Sequence, residues 1–441
     1  MNNIQPVSDA LLCSNCGACK AICPKNAISF SFSSIGRMYA VVNESCIECK
    51  ACVKVCPSID YHGLHRTFSD KYVGNIVQTY VGRATDRKIF AESQSGGACT
   101  ATLIYLFKHD LIDAAVVCRM VPQKSPIVEA YIAESVEQLC ESQKSKYTPV
   151  ELLSALRQTN SKKSVAIVGL PCHLQGVESL SRQSKKRFQN ISYKLGLICD
   201  RTLGATLQNV MLTYSEKKEP AIIEWRKKDF SYDGTYYPYH SAPIRIKYAK
   251  DKSLVLPNTY RFALKDMYTP PRCRVCYDKL NTFADIVFGD PWGMSNVDLK
   301  RGDSLVITRS LRGESLIQNM IKSGDVFLKI SEVNELLEGQ HIQERRRTVS
   351  SYSVAIQSLP IKIDSYLYNQ KDVSKNRQID ILRSLKNLNE YVCNEQLSVE
   401  EVLNESRKVV KWNECQLRIK RFFIIRALNK LIRLIKSFNK K

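Results

Sequence analysis

The chain has 441 residues, 44% of them apolar and 24% charged, with a formal net charge of +22 and seventeen cysteines. That composition is ordinary for a soluble globular protein, and no run approaches the roughly 18 apolar residues that a membrane-spanning helix needs, which excludes an integral helical membrane protein. At roughly 150 residues per domain, the length predicts two or three domains.

The first predicted element covers residues 1–60. Cys13, Cys16, Cys19 and Cys23 follow the pattern CxxCxxCxxxC and are trailed by Pro24; Cys46, Cys49, Cys52 and Cys56 repeat it and are trailed by Pro57. This is the spacing of bacterial two-cluster ferredoxins, in which each fourth cysteine ligates the other [4Fe-4S] cluster. Three thiolates on one tight loop reach three irons of a cube, and the fourth ligand must come from elsewhere in the fold. Cys13, Cys16, Cys19 and Cys56 are therefore assigned to one cluster, and Cys46, Cys49, Cys52 and Cys23 to the other. Structural zinc sites take ligands in two separated pairs, which two triplets with trailing Cys-Pro fit poorly. Pro24 and Pro57 end the turn after each motif. So many thiolates call for a reducing compartment, and the N-terminus lacks a basic stretch followed by an apolar one. A cytoplasmic protein without a secretory signal is expected.

Residues 61–78 are polar and read as a linker. From 79 to about 330, short apolar strands alternate with helical stretches, the mark of an α/β region with at least partly parallel strands. Strands are predicted at 114–118, 165–168, 194–198 and 285–288, and helices at 99–107 and 176–180. An aromatic and β-branched stretch at 229–258 reads as a β-rich insertion. The region divides into 79–160 and 161–340, followed by a polar helical part at 341–441. The fold class is thus an α+β ferredoxin-like domain, then an α/β domain with a β insertion and a helical tail.

Two further constellations lie in the α/β region. Ser93, Gln94, Ser95, Gly96 and Gly97 lead into a helix bearing Thr100; glycines admit an anion, and the first helix amides suit a pyrophosphate. Lys144, Ser145, Lys146 and Tyr147 would add cations and a ring to such a site. The competing reading is a glycine turn capping a buried helix. Cys172, Cys199, Cys273 and Cys276 follow predicted strands or form a CxxC pair, so they can meet at one rim of the sheet. A lone CxxC is as often zinc-binding or redox-active, and Cys172 and Cys199 also suit buried apolar positions. Cys99, Cys118, Cys140, Cys393 and Cys415 show no ligand spacing, and the scattered histidines His62, His65, His109, His240 and His341 form no ligand set.

SQSGGACT (93–100), KSKY (144–147), VAIVGLPC (165–172), KLGLIC (194–199) and CRVC with ADIVFGDPWG (273–293) occur in the order typical of one family. Over roughly residues 10–330 the chain resembles the family of the coenzyme F-420 hydrogenase/dehydrogenase beta subunit, in the form that carries an N-terminal ferredoxin domain. The resemblance implies a third [4Fe-4S] cluster on Cys172, Cys199, Cys273 and Cys276, and FAD held by the serine-glycine and KSKY loops. It implies an oxidoreductase relay from a ferredoxin or other redox protein through the clusters to FAD and a small or sugar-derived substrate. The alternative is an electron-transfer subunit exchanging electrons with coenzyme F-420 or a nicotinamide. Where the family has glutamine after GLPC, this chain has His173, a candidate donor to a cluster sulfur or a satisfied core residue. Asp290, Tyr147, Lys146 and His173 are chemically suited to acid-base work, and the sequence ranks none of them.

The last 35 residues hold twelve Lys or Arg and one acid, Glu414. Ile424, Leu428, Leu431, Ile435 and Phe438 recur there at helical spacing. A basic amphipathic helix suits peripheral contact with an anionic membrane, or docks on its own core with a solvated basic face. No motif for specific nucleic-acid binding is present, and a homo-oligomer is compatible with these features.

Overall fold

The computed structural model describes residues 1–33, 36–122, 127–204, 221–226, 228, 242–248, 253–256, 269–298 and 300–357. The basic tail, and most of the 229–258 insertion, lie outside the described residues.

Thirteen strands are described. In the N-terminal part, β1 (Ile28–Phe32) and β2 (Met38–Val42) form an antiparallel pair between two short helices, Ala18–Ile22 and Ala51–Lys54. The α/β part holds β3 (Gln78–Ala84), β4 (Ala114–Val121), β5 (Ile127–Ala133), β6 (Val165–Gly169) and β7 (Ile191–Leu197). Then come β8 (Ala221–Glu224), β9 (Ile244–Tyr248) and β10 (Ser253–Leu256), followed by β11 (Ile286–Gly289), β12 (Ser304–Thr308) and β13 (Val326–Ile330). β8 to β10 make a separate antiparallel sheet, so the described part of the insertion is β-rich.

The main sheet has eight strands in the order β13-β3-β12-β11-β7-β6-β4-β5. Its centre, β4-β6-β7-β11, is parallel, and its flanks are antiparallel. Successive side chains on a strand point to opposite faces, and here both faces are covered. Ala115 and Val117 join the core under the helices Ala98–Lys108 and Leu311–Ser323, whereas Val116 joins the core on the other side. That second core includes the helix Pro171–Gln183 and reaches Cys16, Ala18, Ala21 and Val55 of the N-terminal part. The cysteine-rich part therefore shares a core with one face of the main sheet.

Residues 61–78 correct the linker expectation. Leu64 and Tyr72 are buried, Phe68 packs on Phe283 with ring centroids 5.2 Å apart, and the buried Arg309 guanidinium donates to the Val73 and Asn75 carbonyls. Apolar anchors and a buried cation hold this stretch in place, although its composition is polar. The helix seen as 176–180 begins at Pro171, whose fixed φ favours a first-turn position.

Candidate redox site

All fifteen described cysteines are free. In the N-terminal part, Cys13, Cys16, Cys19 and Cys56 lie close together, and Cys13 adds to the pKa of the other three. Burial pushes Cys16 up to about 11 and Cys56 to about 12, each raised further by thiols of this set. Cys19 goes well above its usual value through burial, then Cys16, Cys13 and Cys56. Cys23, Cys46, Cys49 and Cys52 line one small void on the other side, with Cys49 exposed. The first four thus lie together, the second four share one void, and Cys52 of the second set also acts on Cys19 of the first.

Three segments gather the other set. Cys172 occupies the first turn of the helix Pro171–Gln183, Cys199 follows β7, and Cys273 and Cys276 flank the end of a short helix, Pro271–Arg274. Burial raises the Cys172 and Cys199 thiols well above their usual range, and the other cysteines of the set add to it. Among the described residues, no three His, Cys, Asp or Glu side chains converge as one metal ion would require. The thiolates of a cubane bind different irons and stand apart, so a donor set of four free thiols at each place fits a cluster.

The third set abuts the loop that carries the first. Cys172 Sγ lies 3.9 Å from the Ser14 carbonyl oxygen, and a Cβ on Gly176 would stand 3.6 Å from Cys16 Sγ. Arg272, beside Cys273, donates to the carbonyl of Pro57, the residue after Cys56, at 3.3 Å.

On its other side the third set opens into a cavity of about 790 Å³. Its lining includes Cys199 and nine of the ten residues singled out for a flavin: Ser93, Gln94, Ser95, Gly97, Thr100, Lys144, Ser145, Lys146 and Tyr147. Gly96 is absent from the lining. A Cβ there would stand 2.4 Å from the Gly82 oxygen and 2.5 Å from the Ser304 nitrogen, so its missing side chain serves strand packing rather than anion approach. The Gly96 and Ala98 amides donate to Ser304 Oγ at 3.0 and 3.4 Å. Nor are the lysines loose cations: Lys144 pairs with Glu92 at 2.7 Å and with Glu224, and Lys146 donates to the Ser142 and Gln143 carbonyls. Burial lowers the Lys146 pKa.

Several site residues escaped the sequence reading. Arg226 is buried, donating to Asp290 at 2.5 Å and to Gln94 Oε1 at 3.4 Å. Trp225, fully buried, packs edge-on against Tyr147 and donates to the Lys146 carbonyl at 2.9 Å. Lys228 reaches Ser93 Oγ at 3.1 Å and the Ser95 carbonyl. These three come from the stretch after β8, which thus clamps both loops. The Gln94 amide nitrogen, buried, has no hydrogen-bond partner among the described residues. An orphaned donor in a cavity of ligand size fits a bound cofactor. His173 is the satisfied core residue: its Nδ1 accepts from the Leu170 amide at 3.1 Å, and burial lowers its pKa to about 4.

Residues 12–59 match the 4Fe-4S dicluster domain. Residues 79–157 and 162–333 match the N-terminal and C-terminal parts of the coenzyme F420 hydrogenase/dehydrogenase beta subunit. One subunit of the F(420)H(2) dehydrogenase of Methanosarcina mazei is 25% identical over 352 residues, 76% of this chain and 92% of its own length. The coenzyme F420-dependent sulfite reductase of Methanocaldococcus jannaschii is 27% identical over 372 residues, 79% of this chain and 53% of that longer relative. A chain of the F420-reducing [NiFe] hydrogenase complex from Methanosarcina barkeri is 19% identical, with a TM-score of 0.47 over 64% of this chain and 96% of that one.

Proposed function

Because the chain belongs to the family of the coenzyme F420 hydrogenase/dehydrogenase beta subunit and carries a 4Fe-4S dicluster domain at its N-terminus, we propose that it is an iron-sulfur electron-transfer subunit of a larger redox complex. Its cavity takes FAD, and through it the subunit exchanges electrons with a deazaflavin or a nicotinamide. The observation that carries this reading is the contact of the third cysteine set with the loop of the first on one side and with the cavity on the other.

In this reading Cys13, Cys16, Cys19 and Cys56 hold one cluster, Cys46, Cys49, Cys52 and Cys23 a second, and Cys172, Cys199, Cys273 and Cys276 a third. When bound, such clusters carry single electrons and a flavin exchanges one or two. The chain's own part is placement. Gln94 and Arg226 offer donors at the cavity wall, Asp290 fixes Arg226, and Trp225 backs the KSKY loop. The relative named above as a dehydrogenase subunit favours a subunit over a self-contained reductase of sugar-derived substrates.

Anaerobic iron, sulfide and flavin analysis tests this, with about twelve iron and one FAD per chain expected from three cubanes. Cys273→Ser should lose about four iron and keep the N-terminal pair's paramagnetic signals. Zinc in place of iron, with no flavin, would reject the proposal. Turnover of a sugar-derived substrate by the isolated chain would restore the self-contained reading.

A further inference from the structure

We propose that Arg345 is the positioning residue that sets the reduction potential of the centre held by Cys172, Cys199, Cys273 and Cys276. The inference rests on the reading of those four cysteines as a cluster site. Arg345 belongs to the helix Ile342–Gln357, beyond residue 333, where the family match ends.

Two segments of the site meet at this one guanidinium. Its Nε donates to the Cys276 carbonyl at 3.1 Å, its Nη2 donates to the Cys273 carbonyl at 3.2 Å, and its Nη1 stands 3.7 Å from Asp200 Oδ1, next to Cys199. The nearby cations make their hydrogen bonds elsewhere, although the Arg272 charge also acts on Cys276. Arg272 bonds the Pro57 carbonyl, Arg274 the Tyr352 hydroxyl, Lys279 the Gln340 carbonyl, and Arg201 pairs with Asp200. The helix itself is anchored, with Ile342 and Val349 buried in the main core, so the guanidinium has a fixed seat.

An arginine stays charged at any pH a protein survives, and a charge that is 8% exposed is little screened by water or salt. A four-thiolate cluster becomes more negative when it takes an electron, so a fixed cation favours the reduced form. Charge and hydrogen bonding around the ligands are recognised levers on cluster potential. Asp200, half exposed, opposes the effect from the cavity side.

The test is a redox titration of full-length, anaerobically purified protein, followed by paramagnetic resonance of each centre, with the N-terminal pair as internal reference. Arg345→Gln should shift the third centre to lower potential and leave the pair unmoved. Arg345→Lys should restore most of the shift, and Asp200→Asn should move the centre the opposite way. An unmoved potential in Arg345→Gln at full iron content overturns the proposal. If that variant loses about four iron, as expected for one cubane, an unmoved potential in Asp200→Asn does so instead. Loss of the third centre in both Arg345 variants also overturns it and leaves Arg345 a scaffold role. A wild-type protein with only about eight iron would show that the cluster reading itself had failed.

Discussion

Lys228 is an amine 2% exposed, set against the Phe90 ring at 4.0 Å and bonded to Ser93 Oγ. Burial first, then the nearby Arg83 and Arg226 cations, lower its pKa from 10.5 to about 7. The unfolded chain holds this proton up to about pH 10.5, whereas the folded chain releases it above about 7. The unfolded state thus binds more protons within that window, and stability falls as pH drops from about 10.5 to about 7. Lys228→Met should flatten this limb, read from denaturation midpoints at about pH 7.5 and about pH 10; an unchanged slope would show that the amine titrates normally. Lys228 and Arg226 were not legible as site residues, because their partners are 64 to 135 residues away in sequence. Ser93, Lys144 and Tyr147 were legible because each sits in a short motif. What the motif did not reveal is that the Lys144 charge is matched by Glu92 and Glu224.

At the scale of elements, the helix Pro171–Gln183 lies against the helix Ala18–Ile22 across Gly176. A Cβ at Gly176 would stand 2.6 Å from Leu153 Cδ1 and 3.2 Å from Ala18 Cβ. Gly176→Val should therefore overpack this contact at a cost of about 1–3 kcal/mol and push Cys172 away from Cys16. Weakened magnetic coupling between the third centre and its neighbour, together with a lower denaturation midpoint, is the expected outcome; unchanged coupling would show that the helices do not set the spacing. The parallel strands β4, β6, β7 and β11 could be read from sequence, because strands buried on both faces appear as short apolar runs. The sheet order could not, since β3 and β12, 230 residues apart where Gln78 pairs with Thr308, meet only through long-range packing.

For the whole molecule, the two-part division misses how closely the parts are joined. Arg157 donates to the Lys20 and Cys23 carbonyls, Arg187 to the Ala21 carbonyl, and the Leu153 amide to the Cys16 carbonyl at 2.9 Å. With these bonds and the shared core, the cysteine-rich part serves as one covering layer of the main sheet. Repeated cysteine spacing announced what that layer carries, but spacing along a chain says nothing of which sheet face it covers. The layer is not evenly shielded. Cys49 and its neighbours Glu48 and Lys50 face solvent, whereas Cys19 and Cys56 are enclosed. Dioxygen attacks thiolates according to their exposure, so brief aeration should bleach the outermost centre first and pause at about eight iron per chain before the rest decay. Parallel loss of all the iron at one rate would contradict this sequence of decay. Damage would then start at the solvent-facing end of the layer and reach the enclosed thiolates last.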